Sequence, residues 1–165
     1  MKELAILAVQ CVLSLLMFFI IINIYILPRL KNNSLLAILS LLLIINSFRY
    51  LPFSLFMPGQ VDATFPEHIK SLIAIGDFIS GILALIALLV LRKNLKAGIT
   101  LTWIFSIVSV LDVISVLSVA LYNKVYLLDL GTNYFTVVVY VPMIIVIQLF
   151  IFKILANKNK YSWEI

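Results

Sequence analysis

Residues 71–91 read SLIAIGDFISGILALIALLVL, an apolar run in which Asp77 is the single charged side chain. At about 1.5 Å per residue, a helix of this length crosses a hydrocarbon core of about 30 Å. Because backbone polar groups in lipid must pair within the protein, each such run is expected to be a helix. The sequence predicts an all-α integral membrane bundle of five transmembrane helices, the other four spans lying at about residues 4–27, 34–56, 98–121 and 135–156.

The composition supports a membrane protein with a single domain over residues 1–165. Hydrophobic residues make up 64% of the chain and charged residues 12%, whereas a soluble domain is about half apolar and about a quarter charged. Membrane lipids are therefore predicted partners, and nucleic acid is not. A lone cysteine, a lone histidine and the lack of known catalytic motifs give no reason to expect a metal site or a cofactor.

The basic residues alternate along the chain in a way that predicts orientation. They concentrate in the first loop, the third loop and the C-terminal tail, while the second and fourth loops are nearly neutral. The positive-inside rule places the basic loops in the cytoplasm, so we expect the N-terminus outside, the C-terminus inside and a location in the cytoplasmic (inner) membrane. The residues that carry this pattern are Arg29, Lys31, Arg92, Lys93, Lys96, Lys158 and Lys160.

Three charged residues lie inside the predicted spans, where a charge is costly unless it is paired, hydrated or used. Counting residues from the outer span boundaries puts Arg49, Asp77 and Asp112 at depths of about 10, 9 and 13 Å. We therefore predict a ligand-binding polar cluster in the outer half of the bundle, formed by Arg49, Asp77, Asp112, Gln10, Tyr50 and Tyr140.

Within this cluster we expect Arg49 to pair with Asp77, because Arg can hold a carboxylate bidentately. Asp112 would then share the site or carry a proton. Two alternatives stay open at this point. The pair could be a structural contact that fixes the register of the helices, or Arg49 could extend to the outer headgroups.

Two further patterns describe the walls of this site. Small residues recur every fourth position on the third helix, at Gly76, Ser80 and Ala84, which favours close helix approach. Serines surround Asp112 on the fourth helix and form either a polar cavity wall or ordinary interhelical hydrogen bonds; they are Ser106, Ser109, Ser115 and Ser118.

The irregular segments give two further expectations. Pro142 is expected to kink the fifth helix and to free a carbonyl near Tyr140. Residues 57–70 read MPGQVDATFPEHIK and either fold over the outer mouth of the bundle or form a plain connector.

The order of these signals resembles a group of small uncharacterised bacterial integral membrane proteins. The resemblance covers most of the chain from about residue 46 and rests on Arg49, Pro58-Gly59, Gly76-Asp77, Trp103, Asp112 and Pro142. It implies a five-helix fold in a bacterial cytoplasmic membrane, and no activity. In that group a His often stands where this chain has Gln148, so the resemblance implies no proton relay or metal role there.

Three functions fit the sequence. The first is binding or transport of a small amphipathic or ionic solute through the polar cluster. The second is a structural or accessory subunit of a membrane complex, with a homo-oligomer or another membrane protein as partner. The third is an intramembrane proton-transfer enzyme with one neutral and one ionised carboxyl group. The sequence identifies no catalytic residue and favours a role other than catalysis.

Overall fold

The computed structural model describes residues 2–26, 28 and 35–157. Five helices of the described residues are long and apolar enough to cross a membrane, which confirms the all-α fold and the predicted number of membrane-length helices. They are α1 (Lys2–Ile26), α2 (Leu35–Ser47, continued by the 3-10 helix Leu51–Phe56), α3 (Glu67–Lys93), α4 (Leu95–Tyr122) and α5 (Asn133–Ala156).

The basic residues used for the topology prediction fall partly within this description. Arg92 and Lys93 end α3, and Lys96 lies in the first turn of α4. These residues define what we call the basic end of the bundle. The opposite end, formed by residues 51–66 and 123–135, is called the cap end. The remaining residues of the prediction lie outside the described residues: Arg29, Lys31, Lys158 and Lys160.

The second span differs from the prediction, because it is not one continuous α-helix. The α-helix ends at Ser47, a turn follows, and a 3-10 helix occupies Leu51–Phe56. Pro52 explains the break, since it has no backbone N–H and its ring clashes with the carbonyl four residues earlier. Arg49 lies in the turn between the two helical segments, so its position depends on this break.

Helix α3 is the centre of the bundle and packs between α2 and α4. Glycines permit both contacts. A Cβ at Gly81 would lie 3.3 Å from the carbonyl oxygen of Ser47 on α2, and a Cβ at Gly98 of α4 would overlap Leu91 of α3. Ser80 and Ala84, which belong to the predicted small-residue face, are fully buried. The small-residue pattern therefore marks a true packing face.

Helix α5 packs against α4, α1 and α2, and it contains a local change of helix type. Residues Thr136–Tyr140 form a π-helix, after which the α-helix Val141–Ala156 begins with Pro142 in its first turn. The irregularity lies immediately before the proline, where the freed carbonyl was expected. A π-helical turn within an α-helix is often found at a functional site.

The cap end is closed by two loops that pack on each other. The amide of Asp62 donates to the carbonyl of Asp129 over 2.8 Å, and the side chain of Asn133 accepts a 2.7 Å hydrogen bond from Ser54. Beneath them lies a small apolar cluster of Phe65, Ile69, Val125 and Leu130. The 57–66 segment is thus a packed cap and more than a plain connector.

The half of the bundle next to the basic end, called the basic half, has an apolar core. Its core includes Leu39 and Leu43 of α2, Leu91 of α3, Phe105 of α4 and Ile151 of α5, all fully or almost fully buried. Helix α1 contributes little to this core, since none of the side chains in Lys2–Ile21 is buried. Its apolar surface faces outward, as expected for a helix surrounded by lipid.

Candidate functional site

The side chain of Arg49 joins three helices in the cap half of the bundle. It is 1% exposed, and its Nε atom donates to Oδ1 of Asp77 over 2.7 Å. Its Nη2 atom donates to Oδ2 of Asp112 over 2.5 Å, and Nη1 donates to the hydroxyl oxygen of Ser109. Arg49, Asp77 and Asp112 are called the ion cluster below. The predicted contact between Arg49 and Asp77 is present.

The contact with Asp77 differs in detail from a two-oxygen fork. Both Nε and Nη2 of Arg49 approach the same atom, Oδ1 of Asp77, at 2.7 and 2.6 Å. The two carboxyl groups share the guanidinium, because Nη2 also contacts Oδ2 of Asp112. One cation therefore faces two carboxylates, and with both acids ionised the ion cluster carries one excess negative charge.

Glycine residues of α3 make this arrangement sterically feasible. A Cβ at Gly76 would overlap the carboxyl group of Asp112, so that carboxyl group occupies the space that a side chain would fill. On the other face of α3, a Cβ at Gly81 would lie 3.4 Å from Cβ of Arg49. Asp77 is thus one partner of Arg49, and the lack of a side chain at Gly76 leaves space for the other partner, Asp112.

A cavity of about 30 Å³ adjoins the ion cluster. This volume is enough for one or two water molecules or a group of similar size. The hydroxyl group of Tyr140 is buried here without a hydrogen-bond partner among the described residues. The remaining wall is apolar and comes from α4 and α5: Val113, Val116, Leu117, Val141 and Ile144.

Two residues of the predicted cluster lie elsewhere. The side chain of Gln10 on α1 accepts a hydrogen bond from the hydroxyl group of Tyr134 on α5. Tyr50 is 48% exposed and lines a separate groove between α2 and α3, with its ring 6.0 Å from that of Phe48. Of the six predicted residues, the structure therefore brings together the ion cluster and Tyr140.

The serines of α4 divide into two groups. Ser106 and Ser109 are buried, and Ser109 binds the guanidinium. Ser115 and Ser118 are exposed and donate to carbonyls of their own helix over 2.8 and 2.7 Å. Within the described residues, Ser115 and Ser118 therefore form neither a polar cavity wall nor interhelical hydrogen bonds, the two alternatives that the sequence left open. Ser109 itself was missing from the predicted site, although its spacing of three from Asp112 placed it on the same face.

Gln148 is a second polar residue that sequence analysis left out of the site. Its side chain on α5 is 3% exposed, and neither its Oε1 nor its Nε2 atom has a hydrogen-bond partner among the described residues. It lines a groove between α4 and α5 together with Ser109. Burying a whole amide without partners costs several kcal/mol, roughly 2–7 in apolar surroundings. Gln148 therefore marks a place where a hydrogen-bonding group would be strongly favoured.

Comparison with known proteins identifies a family without an assigned activity. No curated protein and no solved structure matches the chain. A family model described as Domain of unknown function (DUF8737) matches residues 6–156. This match covers all five membrane-length helices apart from the first few residues of α1, and the chain belongs to this family.

Proposed function

We propose that this protein binds a small monovalent cation at the ion cluster, from the outer face of a bacterial cytoplasmic membrane. The observation that carries the proposal is the composition of the site: one buried guanidinium faces two carboxyl groups, which leaves one negative charge unbalanced when both are ionised. In a medium of low dielectric constant an unbalanced charge is costly, and a cation beside the acids would remove that cost.

The shape of the site supports a small solute. The cavity beside the acids holds about 30 Å³, which suits an ammonium group or an alkali ion and excludes a bulky head. Asp77 and Asp112 are 13% and 11% exposed, whereas Arg49 is 1% exposed. The carboxylates are thus the accessible part of the cluster, which favours a cation over an anion.

The proposed orientation follows from the basic end. Arg92, Lys93 and Lys96 would face the cytoplasm under the positive-inside rule, which puts the cap end and the ion cluster in the outer half. In that orientation the apolar core of the basic half would lie between the cluster and the cytoplasm. Binding, with release to the same side, is therefore the simplest activity, and transport would require the packed half to open.

A structural role is the second candidate, and a specific observation favours it. Arg49 hydrogen-bonds to Asp77 of α3 and to both Ser109 and Asp112 of α4. Such a side chain can fix the register of α2, α3 and α4 without any ligand. Breaking a buried ion pair costs about 3–5 kcal/mol.

Asp112→Asn separates the two candidates, because it balances the charge of the cluster and nearly preserves the shape of the side chain. We would measure thermal unfolding in detergent with NaCl, ammonium chloride or methylammonium chloride against choline chloride at equal ionic strength. Cation binding predicts stabilisation of the wild type by at least one small cation and its loss in the variant. A purely structural role predicts a destabilised variant and no cation-specific stabilisation of the wild type.

Asp77→Asn is the companion variant, and native mass spectrometry is the second measurement. Two guanidinium nitrogens of Arg49 contact Asp77. Replacing Asp77 should therefore lower both the affinity for the cation and the stability of the folded state. A cation or small molecule retained equally by the wild type and by both variants would contradict the proposed site.

A further inference from the structure

A groove of about 220 Å³ between α4 and α5 lies next to the cavity of the ion cluster. The two spaces share three wall residues, Val113, Leu117 and Ile144. A solute that displaces these side chains slightly would place one end beside Asp77 and Asp112 and extend the other along the groove. The surface of the groove is apolar, because its two polar wall residues, Ser109 and Gln148, are buried.

We propose that the cation of the proposed site is the head of a single-chain alkylammonium amphiphile whose chain lies in the α4–α5 groove. This inference rests on the proposed function. Charge complementarity selects the head, because the ion cluster has one excess carboxylate. The small cavity favours a primary ammonium, whose N–H groups can donate to carboxylates, over a bulky quaternary head.

The test compares decylamine with methylammonium, decanol and decyltrimethylammonium, with the whole protein in lipid nanodiscs. Val110→Phe would fill the groove at a residue that does not line the cavity of the ion cluster. Ile107→Phe is the matched control, since Ile107 is exposed on the same helix and lines neither space. We expect Val110→Phe to weaken decylamine binding about tenfold or more. Methylammonium binding should stay within about twofold, and Ile107→Phe should change neither ligand.

The outcomes distinguish this inference from the proposed function. Methylammonium binding with a decylamine affinity that Val110→Phe leaves unchanged would overturn the groove and keep the cation site. Decanol bound as tightly as decylamine, with no effect of Asp112→Asn, would mean that any lipid chain fills the groove, and would also overturn the inference. If neither amine binds, this inference fails, while stabilisation of the wild type by NaCl would still support the proposed cation site.

Discussion

Replacing Gly76 by alanine tests the geometry of the ion cluster directly, because the new Cβ would overlap the carboxyl group of Asp112. That carboxyl group must then move, and its 2.5 Å hydrogen bond from Arg49 is lost or distorted. Overpacking costs about 1–3 kcal/mol and a hydrogen bond to a charged group contributes about 1.5–3 kcal/mol. Alanine regains about 1 kcal/mol of helix propensity. We expect the free energy of unfolding to fall by about 3 kcal/mol.

The same substitution should behave differently once the carboxyl group is gone. In an Asp112→Ala background the overlap is absent, so Gly76→Ala should stabilise the protein by up to about 1 kcal/mol. The coupling energy of the two substitutions would then be about 4 kcal/mol. The free-energy changes at independent sites add to within about 0.3–0.5 kcal/mol. Reversible unfolding in mixed detergent micelles gives the four free energies of this double-mutant cycle.

Gly98→Ala is the control for this cycle. Its Cβ would overlap Leu91 near the basic end of α3, a contact that the removal of the Asp112 carboxyl group does not relieve. It should therefore show weak coupling to Asp112→Ala. If Gly76→Ala had the same effect in both backgrounds, the position of Asp112 against α3 described above would be wrong.

Three other substitutions test separate parts of the fold. Ser109→Ala removes the hydroxyl oxygen that accepts from Nη1 of Arg49 and should lower the free energy of unfolding by about 1.5–3 kcal/mol. The control Ser115→Ala, on the exposed face of α4, should change it by less than about 0.5 kcal/mol in the same assay. Gly131→Ala should cost about 2 kcal/mol or more, because Gly131 has φ +49° and a Cβ would overlap a carbonyl of the neighbouring loop; unchanged stability would contradict this loop contact. Hydrogen bonds from the amide and hydroxyl groups of Thr64 lower the pKa of Asp62, so the turn is stabilised above the usual Asp pKa and this stabilisation is lost as pH falls through the lowered value. The protection factor of the Thr64 amide, which corrects the exchange rate for its intrinsic dependence on pH, should fall on acidification in the wild type, and Asp62→Asn should remove that fall.

Depth in the bundle was predictable from the sequence because a helix advances by a fixed rise per residue. Counting from the span boundaries brought Arg49, Asp77 and Asp112 to one level, and the structure joins them. The same arithmetic placed Gln10 and Tyr50 at that level, yet they lie outside the ion cluster. Depth does not determine which way a side chain faces, since the rotation of a helix depends on what packs against it.

The break in α2 illustrates the second limit of sequence reasoning. Pro52 is visible in the sequence, but the apolar length of residues 34–56 predicts one continuous helix. The structure ends the α-helix at Ser47 and turns the chain before the proline. This turn directs Arg49 into the bundle and leaves Tyr50 on its surface. Even in a regular helix, adjacent side chains point in directions about 100° apart, so Arg49 can be buried while Tyr50 is exposed.

The distribution of polar groups along the bundle bears on whether the protein transports its solute. The ion cluster, its cavity and Tyr140 occupy the cap half, while the described core of the basic half is formed by side chains such as Leu39, Phe105 and Ile151. A cation leaving the cluster toward the basic end would lose its carboxylate partners before meeting any charged group of that end, and such a step is costly in an apolar medium. A lateral path along the α4–α5 groove avoids this cost, because the charged head stays beside the acids while an apolar chain enters from the lipid. Under the proposed function and the inference above, this arrangement is expected of a receptor or carrier for a membrane-dissolved amphiphile rather than of a pore for free ions.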